Sequence, residues 1–187
     1  MSGDYLPVIE ALLFASPDPL SLSQLQELLD DQERENILRS VNDLKDLYES
    51  RNSGLTIIEV AGGFRLSTRP DLHPWLTRLA KVRPGKLSRP ALETVAIIAY
   101  RQPITRAEIE AIRGVTVDGV LRTLVERGLI RIVGRKREVG RPLLYGTSRT
   151  FLEYFGFQDL SELPSLQEIE TLAPAREETA ETIKETS

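Results

Sequence analysis

A chain of 187 residues, 41% hydrophobic and 28% charged, has room for one medium domain or two small ones and is too apolar to be a disordered segment. No apolar run approaches the roughly 18–20 residues that span a bilayer, and the chain opens without a basic leader, so we expect a cytoplasmic protein. Its net charge of −4 argues weakly against a dedicated nucleic-acid binder, while zero cysteines and a single histidine, His73, disfavour thiol, metal and triad chemistry. We therefore expect no catalytic site, no cofactor and no metal.

The first predicted helix is apolar on nearly every side. Between Leu6 and Ala15, Glu10 is almost the only polar residue. A helix in a small three-helix core usually keeps a polar outer face. Two explanations stay open: a later helix containing Trp75 and Leu76 covers the outer face, or this face contacts another polypeptide.

The next elements of the first half follow from local signals. Ser21 and Gln24 form a capping box that begins a second helix. A third helix is predicted at about 33–52, with apolar residues at helical spacing. Residues 55–60 and 64–69 then alternate as the strands of a β-hairpin, which turns at Gly62 and Gly63.

The same pattern returns 84 residues later in the chain. The segment Val8–Leu25 aligns with Leu92–Ile109, and a second capping box, Thr105 with Glu108, falls at the position of the first. A third helix at about 116–127 ends before Gly128, where a C-terminal cap belongs. Two strands follow, 129–133 and 142–148, and a helix after them contains Phe151, Leu152 and Phe155, which could cover the opening helix of this half.

Three helices followed by a two-stranded hairpin is the order of a winged-helix module, in which the hairpin is the wing. The predicted fold class is α+β, mainly helical, with tandem winged-helix domains. The predicted limits are 1–80 for the first domain, 81–87 for a linker and 88–164 for the second domain, where Ser88 caps the opening helix. Residues 165–187 form an acidic tail that we expect to be flexible.

Charge is distributed unevenly over the second half. Residues 128–149 contain six basic residues and one acidic residue, whereas residues 158–187 contain eight acidic and two basic residues. The basic hairpin is either a solvated surface or a surface that faces phosphates or an acidic partner, with Arg135, Lys136 and Arg137 as the candidate phosphate contacts. Arg141 and Pro142 are interpreted as closing the wing.

The third helix of the second half does not suit base reading. Major-groove readers present Arg, Lys, Asn or Gln near the start of the recognition helix. This helix presents Asp118, Gly119 and Glu126 beside Arg122. A winged-helix DNA-binding transcriptional regulator therefore remains as the alternative function, and the module is better suited to binding protein.

Several contiguous stretches resemble one family closely. They are EALLFAS, AGGFRLSTRP, KLSRPALETVAIIAYRQPITRAEIEAIRGV, VLRTLVERGLI, GRPLLYGTSRTFLEYFG and LSELPSL. Together they extend from about Val8 to Leu166 and resemble segregation and condensation protein B of bacteria. The longest match lies in the second half and is far longer than a short motif.

The resemblance implies a function. Members of the family are tandem winged-helix proteins that dimerise through their N-terminal domains and bind segregation and condensation protein A, the kleisin. The kleisin joins them to an SMC ATPase in the condensin-like complex that condenses and partitions the chromosome at the nucleoid. For this chain it implies a non-enzymatic role. The charges of the basic hairpin, and not the resemblance, indicate DNA contact that is at most weak and non-specific.

Two residue sets are our candidates for these contacts. The set for the homodimer consists of Ile9, Leu13, Phe14 and Ile37. The set for kleisin binding consists of Tyr100, Arg122 and Glu126.

Overall fold

The structure is a computed structural model that describes residues 5–79, 86–165 and 168. It is mainly helical, with two small antiparallel sheets. Most of the predicted linker and of the predicted acidic tail lies outside the described residues.

The first half has the predicted order of elements. Its helices and strands are α1 (Leu6–Ala15), α2 (Leu22–Leu28), α3 (Arg34–Ser50), β1 (Leu55–Val60), β2 (Gly63–Thr68) and, after a short 3-10 turn, α4 (His73–Leu79). The Ser21 hydroxyl accepts a hydrogen bond from the Gln24 amide and the Gln24 side chain bonds back to the Ser21 amide, so the predicted capping box is confirmed.

The hairpin turn is displaced by one residue from its predicted position. Ala61 and Gly62 have positive φ angles of 51° and 70° and form the turn, while Gly63 is already in β2. A Cβ atom on Gly63 would lie 2.8 Å from the carbonyl carbon and oxygen of Leu20. Gly63 therefore allows the backbone of Leu20 to approach closely, since it has no side chain. Leu20 exchanges two backbone hydrogen bonds with Phe64, and these bonds attach the α1–α2 connection to the hairpin.

The second half repeats this order with one additional strand. Its elements are α5 (Arg89–Arg101), β3 (Ile104–Thr105), α6 (Arg106–Arg113), α7 (Asp118–Glu126), β4 (Ile130–Arg135), β5 (Leu143–Thr147) and α8 (Arg149–Phe155). The capping box of Thr105 and Glu108, the Ser88 cap and the left-handed Gly128 after α7 are all present as predicted. The sequence analysis missed β3, a two-residue strand that pairs with β5.

Each half has its own hydrophobic core. In the first half, α1, α2, α3 and the hairpin contribute Ile9, Leu13, Leu25, Ile37, Val41, Leu44, Ile57 and Phe64. In the second half, α5, α6, α7, β4 and α8 contribute Val95, Ile98, Ile109, Leu121, Leu124, Ile130 and Phe151. Two cores explain how the repeated sequence pattern becomes two packed units.

Polar contacts join the two halves. The Ala61 amide donates to the Phe157 carbonyl at 2.9 Å, and Arg65 Nη2 lies 2.8 Å from Glu153 Oε2. Arg149 lies 3.9 Å from the other oxygen of Glu153 and donates to the Pro19 carbonyl. One carboxylate on α8 thus lies between an arginine from each half.

Candidate functional site

The exposed face of α1 is a continuous apolar arc. At 100° per residue, Pro7, Phe14, Ala11, Ala15 and Val8 fall next to one another around the helix, within about 120°. All five are exposed, Phe14 at 78% and Val8 at 45% of their full area. The prediction of a helix that is apolar all round is confirmed, because the opposite face of α1 is buried in the core.

The structure corrects three of the four residues chosen for dimer contact. Ile9, Leu13 and Ile37 are at most 3% exposed and belong to the core of the first half. Their side chains pack inside their own protomer, so they offer no surface to a second chain. Among the four chosen residues, only Phe14 is available for contact. The sequence analysis did not choose the other residues of the arc. A helical wheel drawn for residues 6–15 shows the arc but does not tell which side faces the core.

The covering of the opening helices differs between the two halves. Phe151 on α8 is 3% exposed and belongs to the same core as α5, with Leu152 and Phe155 packed against it. The corresponding expectation for the first half is wrong, because Trp75 on α4 is 65% exposed and, like Leu76, is absent from the first core. The apolar arc of α1, with Phe14 at 78% exposure, therefore stays open, whereas on α5 the large apolar side chain that remains exposed is Leu92, at 42%.

One polar contact fixes α1 on α3. The Tyr48 hydroxyl donates to Glu10 Oε1 at 2.6 Å. Burial, and then the adjacent carboxylate, raise the pKa of Tyr48 to about 12. Glu10, the lone polar residue of α1, is thus used to orient the helix, so its other face remains without polar groups.

The exposed surface of α7 carries mutually paired charges. Arg122 Nε lies 3.2 Å from Glu126 Oε1, and both side chains are largely exposed, at 82% and 65%. At the start of the helix, Asp118 pairs with Arg106 of α6. Base reading requires hydrogen-bond donors near the N-terminus of the recognition helix. The N-terminus of α7 instead presents the Asp118 carboxylate, which is paired with Arg106.

Tyr100, the third residue chosen for kleisin contact, forms its hydrogen bond with another part of the chain than α7. It is half-buried, and its hydroxyl donates to the Pro164 carbonyl at 2.6 Å. The phenol therefore anchors the segment after α8 against α5. Its hydroxyl is therefore engaged within the chain.

The three predicted phosphate contacts have different environments. Lys136 Nζ lies 2.8 Å from Glu108 Oε1 and 2.7 Å from Glu138 Oε1. These carboxylates raise the pKa of Lys136, and Lys136 together with the Thr105 cap lowers the pKa of Glu108 to about 2. Arg135 donates to the Arg141 carbonyl at 3.3 Å, and Arg137 is exposed. Lys136 is therefore committed to the protein, whereas the two arginines keep their charge for another ligand.

Within residues 5–79, 86–165 and 168, no cluster of three or more His, Asp or Glu side chains is placed to hold a metal ion. The same residues contain no helix that is both long and apolar enough to cross a membrane. The described residues present three exposed surfaces: the α1 arc, the α7 face and the second hairpin.

The chain matches the family model described as "Segregation and condensation complex subunit ScpB" over residues 7–166. It is 52% identical to segregation and condensation protein B of Symbiobacterium thermophilum over 167 residues, which cover 89% of this chain and 75% of the relative. It is 48% identical to that of Syntrophotalea carbinolica over 170 residues, which cover 91% and 86%.

Two solved structures are also similar. The crystal structure of ScpB from Mycobacterium tuberculosis is 36% identical, with a TM-score of 0.38 over 81% of this chain and 94% of that one. A dimer of the ScpB N-terminal domain complexed with ScpA peptide is 29% identical, with a TM-score of 0.40 over 46% of this chain and 100% of that one. The sequence matches, and not these superpositions, carry the assignment: the chain belongs to the ScpB family of segregation and condensation complex subunits.

Proposed function

We propose that this chain is a non-enzymatic, homodimeric subunit of a condensin-like complex that binds segregation and condensation protein A. Through that kleisin it would join an SMC ATPase and act in chromosome condensation and partition, in the cytoplasm at the nucleoid. Family membership supports the complex, and the observation that carries the binding role is the open apolar arc on α1 beside a completed core. An apolar patch of this kind on a small protein usually marks a contact with another polypeptide.

We also propose that both halves are winged-helix modules. The proposed limits are 1–80 for the dimerisation module, 81–87 for the linker, 88–164 for the kleisin-binding module and 165–187 for an acidic tail. The order of three helices and a hairpin in each half, with capping boxes at equivalent positions, supports this division. The separate cores of the two halves support it further.

The dimer contact in this proposal is the α1 arc. Phe14 is its largest side chain, and Val8 and the alanines around it allow a second helix to approach closely. Pairing this face with its own copy would remove the largest exposed apolar side chain of α1 from water. A self-complementary patch is also what a two-fold dimer requires.

The kleisin contact in this proposal is on the second half. Arg122 and Glu126 form an exposed pair of opposite charges on α7, and the Tyr100 ring lies half-buried on α5. Exposed i,i+4 pairs contribute only about 0.3–0.5 kcal/mol to folding, so this pair is available for exchange with a partner's charges.

Capture of the central segment of the cognate ScpA tests the assignment. Full-length chain is incubated with the tagged segment in moderate salt, and Arg122→Ala is compared with Arg89→Ala. The control is closely matched, because Arg89 is also exposed and lies 3.1 Å from a glutamate four residues on. We expect Arg122→Ala to weaken capture at least tenfold and Arg89→Ala to leave it unchanged.

Failure of the unaltered chain to retain ScpA would contradict the proposed function. Equal retention by both variants would contradict only the location of the contact on α7.

A further inference from the structure

The second hairpin carries an arginine cluster that the protein itself does not neutralise. The hairpin consists of β4, β5 and their connection, and its arginines are Arg131, Arg135, Arg137 and Arg141. Among the residues that the structure describes, none of the four forms an ion pair with a carboxylate. Clustered cations without counter-charge repel one another, and an anionic ligand relieves that repulsion.

Several arginines elsewhere in the second half are paired. Arg106 contacts Asp118, Arg113 contacts Glu93, and Arg122 contacts Glu126. The lysine of the hairpin is paired as well, with Glu108 and Glu138. Four arginines without an ion pair therefore lie together on the hairpin.

A β-bulge distributes these charges over both faces of the ribbon. Arg131 lies opposite Gly146 and Arg135 opposite Leu143, with the irregularity between Ile132 and Gly134. Side chains of successive residues in a strand point to alternate faces of the sheet. The partners of the two arginines, Gly146 and Leu143, are three residues apart along β5, so the side chains of Arg131 and Arg135 lie on opposite faces. Without the bulge, residues 131 and 135 would share one face.

The tip of the ribbon projects into solvent. Val139 is fully exposed, and Arg137 and Arg141 flank it in the connection. Arg135 donates to the Arg141 carbonyl, which places the last arginine of the cluster beside β4. The arginines thus extend from the start of β4 to the tip.

We propose that this hairpin binds duplex DNA through the phosphates, independently of base sequence. A two-stranded ribbon fits the major groove, whose two walls are sugar–phosphate strands, and cations on both faces can reach both walls. The guanidinium group is suited to phosphate because it can donate two parallel hydrogen bonds. The contact goes beyond the proposed kleisin role and does not depend on it, since it uses other residues.

Salt dependence gives the expected size of the effect. Each phosphate contact contributes a slope of about −0.9 to a plot of log affinity against log salt concentration, so four contacts give about −3.6. The affinity should then fall roughly tenfold for each doubling of the salt concentration. Binding of this kind is detected best between 25 and 100 mM NaCl.

Fluorescence anisotropy of a labelled 30-base-pair duplex with the full chain tests the proposal. We expect the double variant Arg135→Gln/Arg137→Gln to reduce the slope by about 1.8 and the affinity at 50 mM NaCl at least tenfold. The control, Arg89→Gln/Arg106→Gln, removes the same charge from exposed arginines that have carboxylate partners, and it should change the affinity less than twofold. Unchanged melting temperatures verify that both variants are folded.

Four outcomes would overturn the proposal: no duplex binding by the unaltered chain at 25 mM NaCl, an equal loss in the control variant, preference for one base sequence, or equally tight binding of polyglutamate of the same charge. The last would show an acidic polypeptide site instead of a nucleic-acid site. Because ScpA capture is measured separately, its failure and the failure of duplex binding are distinguishable.

Discussion

Replacing Phe14 by alanine should dissociate the dimer while the protomer stays folded. Replacing its neighbour Leu13 by alanine should instead destabilise the fold of the protomer without removing a dimer contact. The two residues are adjacent in α1, but Phe14 is 78% exposed and Leu13 is 3% exposed. The pair therefore separates the outer face of the helix from its core face.

The magnitudes follow from the exposed areas. Full burial of a phenylalanine removes about 200 Å² from water, so the exposed part of Phe14 amounts to roughly 150 Å². At about 25 cal/mol per Å², its burial contributes up to about 4 kcal/mol per protomer. If truncation loses about half of this in each of two protomers, the dimer dissociation constant rises about a thousandfold.

Leu13→Ala should act on the free energy of unfolding. A buried leucine truncated to alanine destabilises a protein by about 2–5 kcal/mol, because the lost contacts leave a cavity. In a unit of this size each kcal/mol lowers the melting temperature by about 4–8 °C, so a loss of at least about 10 °C is expected.

Sedimentation velocity over a concentration series measures the association, and circular dichroism measures the melting temperature. The melting temperatures of both variants and of the unaltered chain are compared at a protein concentration below the dimer dissociation constant of the unaltered chain, because dimerisation itself stabilises the fold. Val139→Ala, at the fully exposed tip of the second hairpin, is the control and should change neither quantity. A chain that sediments as a monomer at 100 µM, or a Phe14→Ala variant that remains dimeric, would refute the reasoning.

Two further predictions concern stability. Gly63→Ala should destabilise the chain by more than Gly62→Ala in urea denaturation, because a Cβ at position 63 would lie 2.8 Å from the Leu20 carbonyl group. A Cβ at position 62 would have nothing within 4 Å, although the φ of 70° there disfavours alanine by about 1 kcal/mol. Equal losses would contradict the close approach. The lowered pKa of Glu108, about 2 against an ordinary 4.5, means that its ionised form stabilises the fold above pH 4.5 and that this contribution disappears as the pH falls towards 2. Lys136→Gln should therefore destabilise the chain at pH 7 and differ less from the unaltered chain at pH 3, and a difference that does not change with pH would show that the carboxylate is not the cause.

Features that depend on a few consecutive residues could be predicted from the sequence. Both capping boxes close a ring over four residues, and Gly128 ends α7 with a left-handed conformation that glycine adopts readily. The order of helices and hairpins followed from such signals and from the internal repeat, whereas the family was identified from the resemblance of long contiguous stretches. The short strand β3 was missed because its two residues acquire strand geometry only by pairing with β5, some forty residues away.

The site depended on contacts that are distant in the chain. A helix that is apolar on every side has no preferred inner face, so only its docking on α3, fixed by Tyr48 and Glu10, decided that Leu13 is buried and Phe14 exposed. Likewise, Lys136 and Arg137 are equivalent in the sequence, but Glu108 lies 28 residues before the lysine and pairs with it alone. Periodicity fixes which residues share a helix face, whereas burial and charge pairing are set by the neighbours that tertiary packing brings to that face.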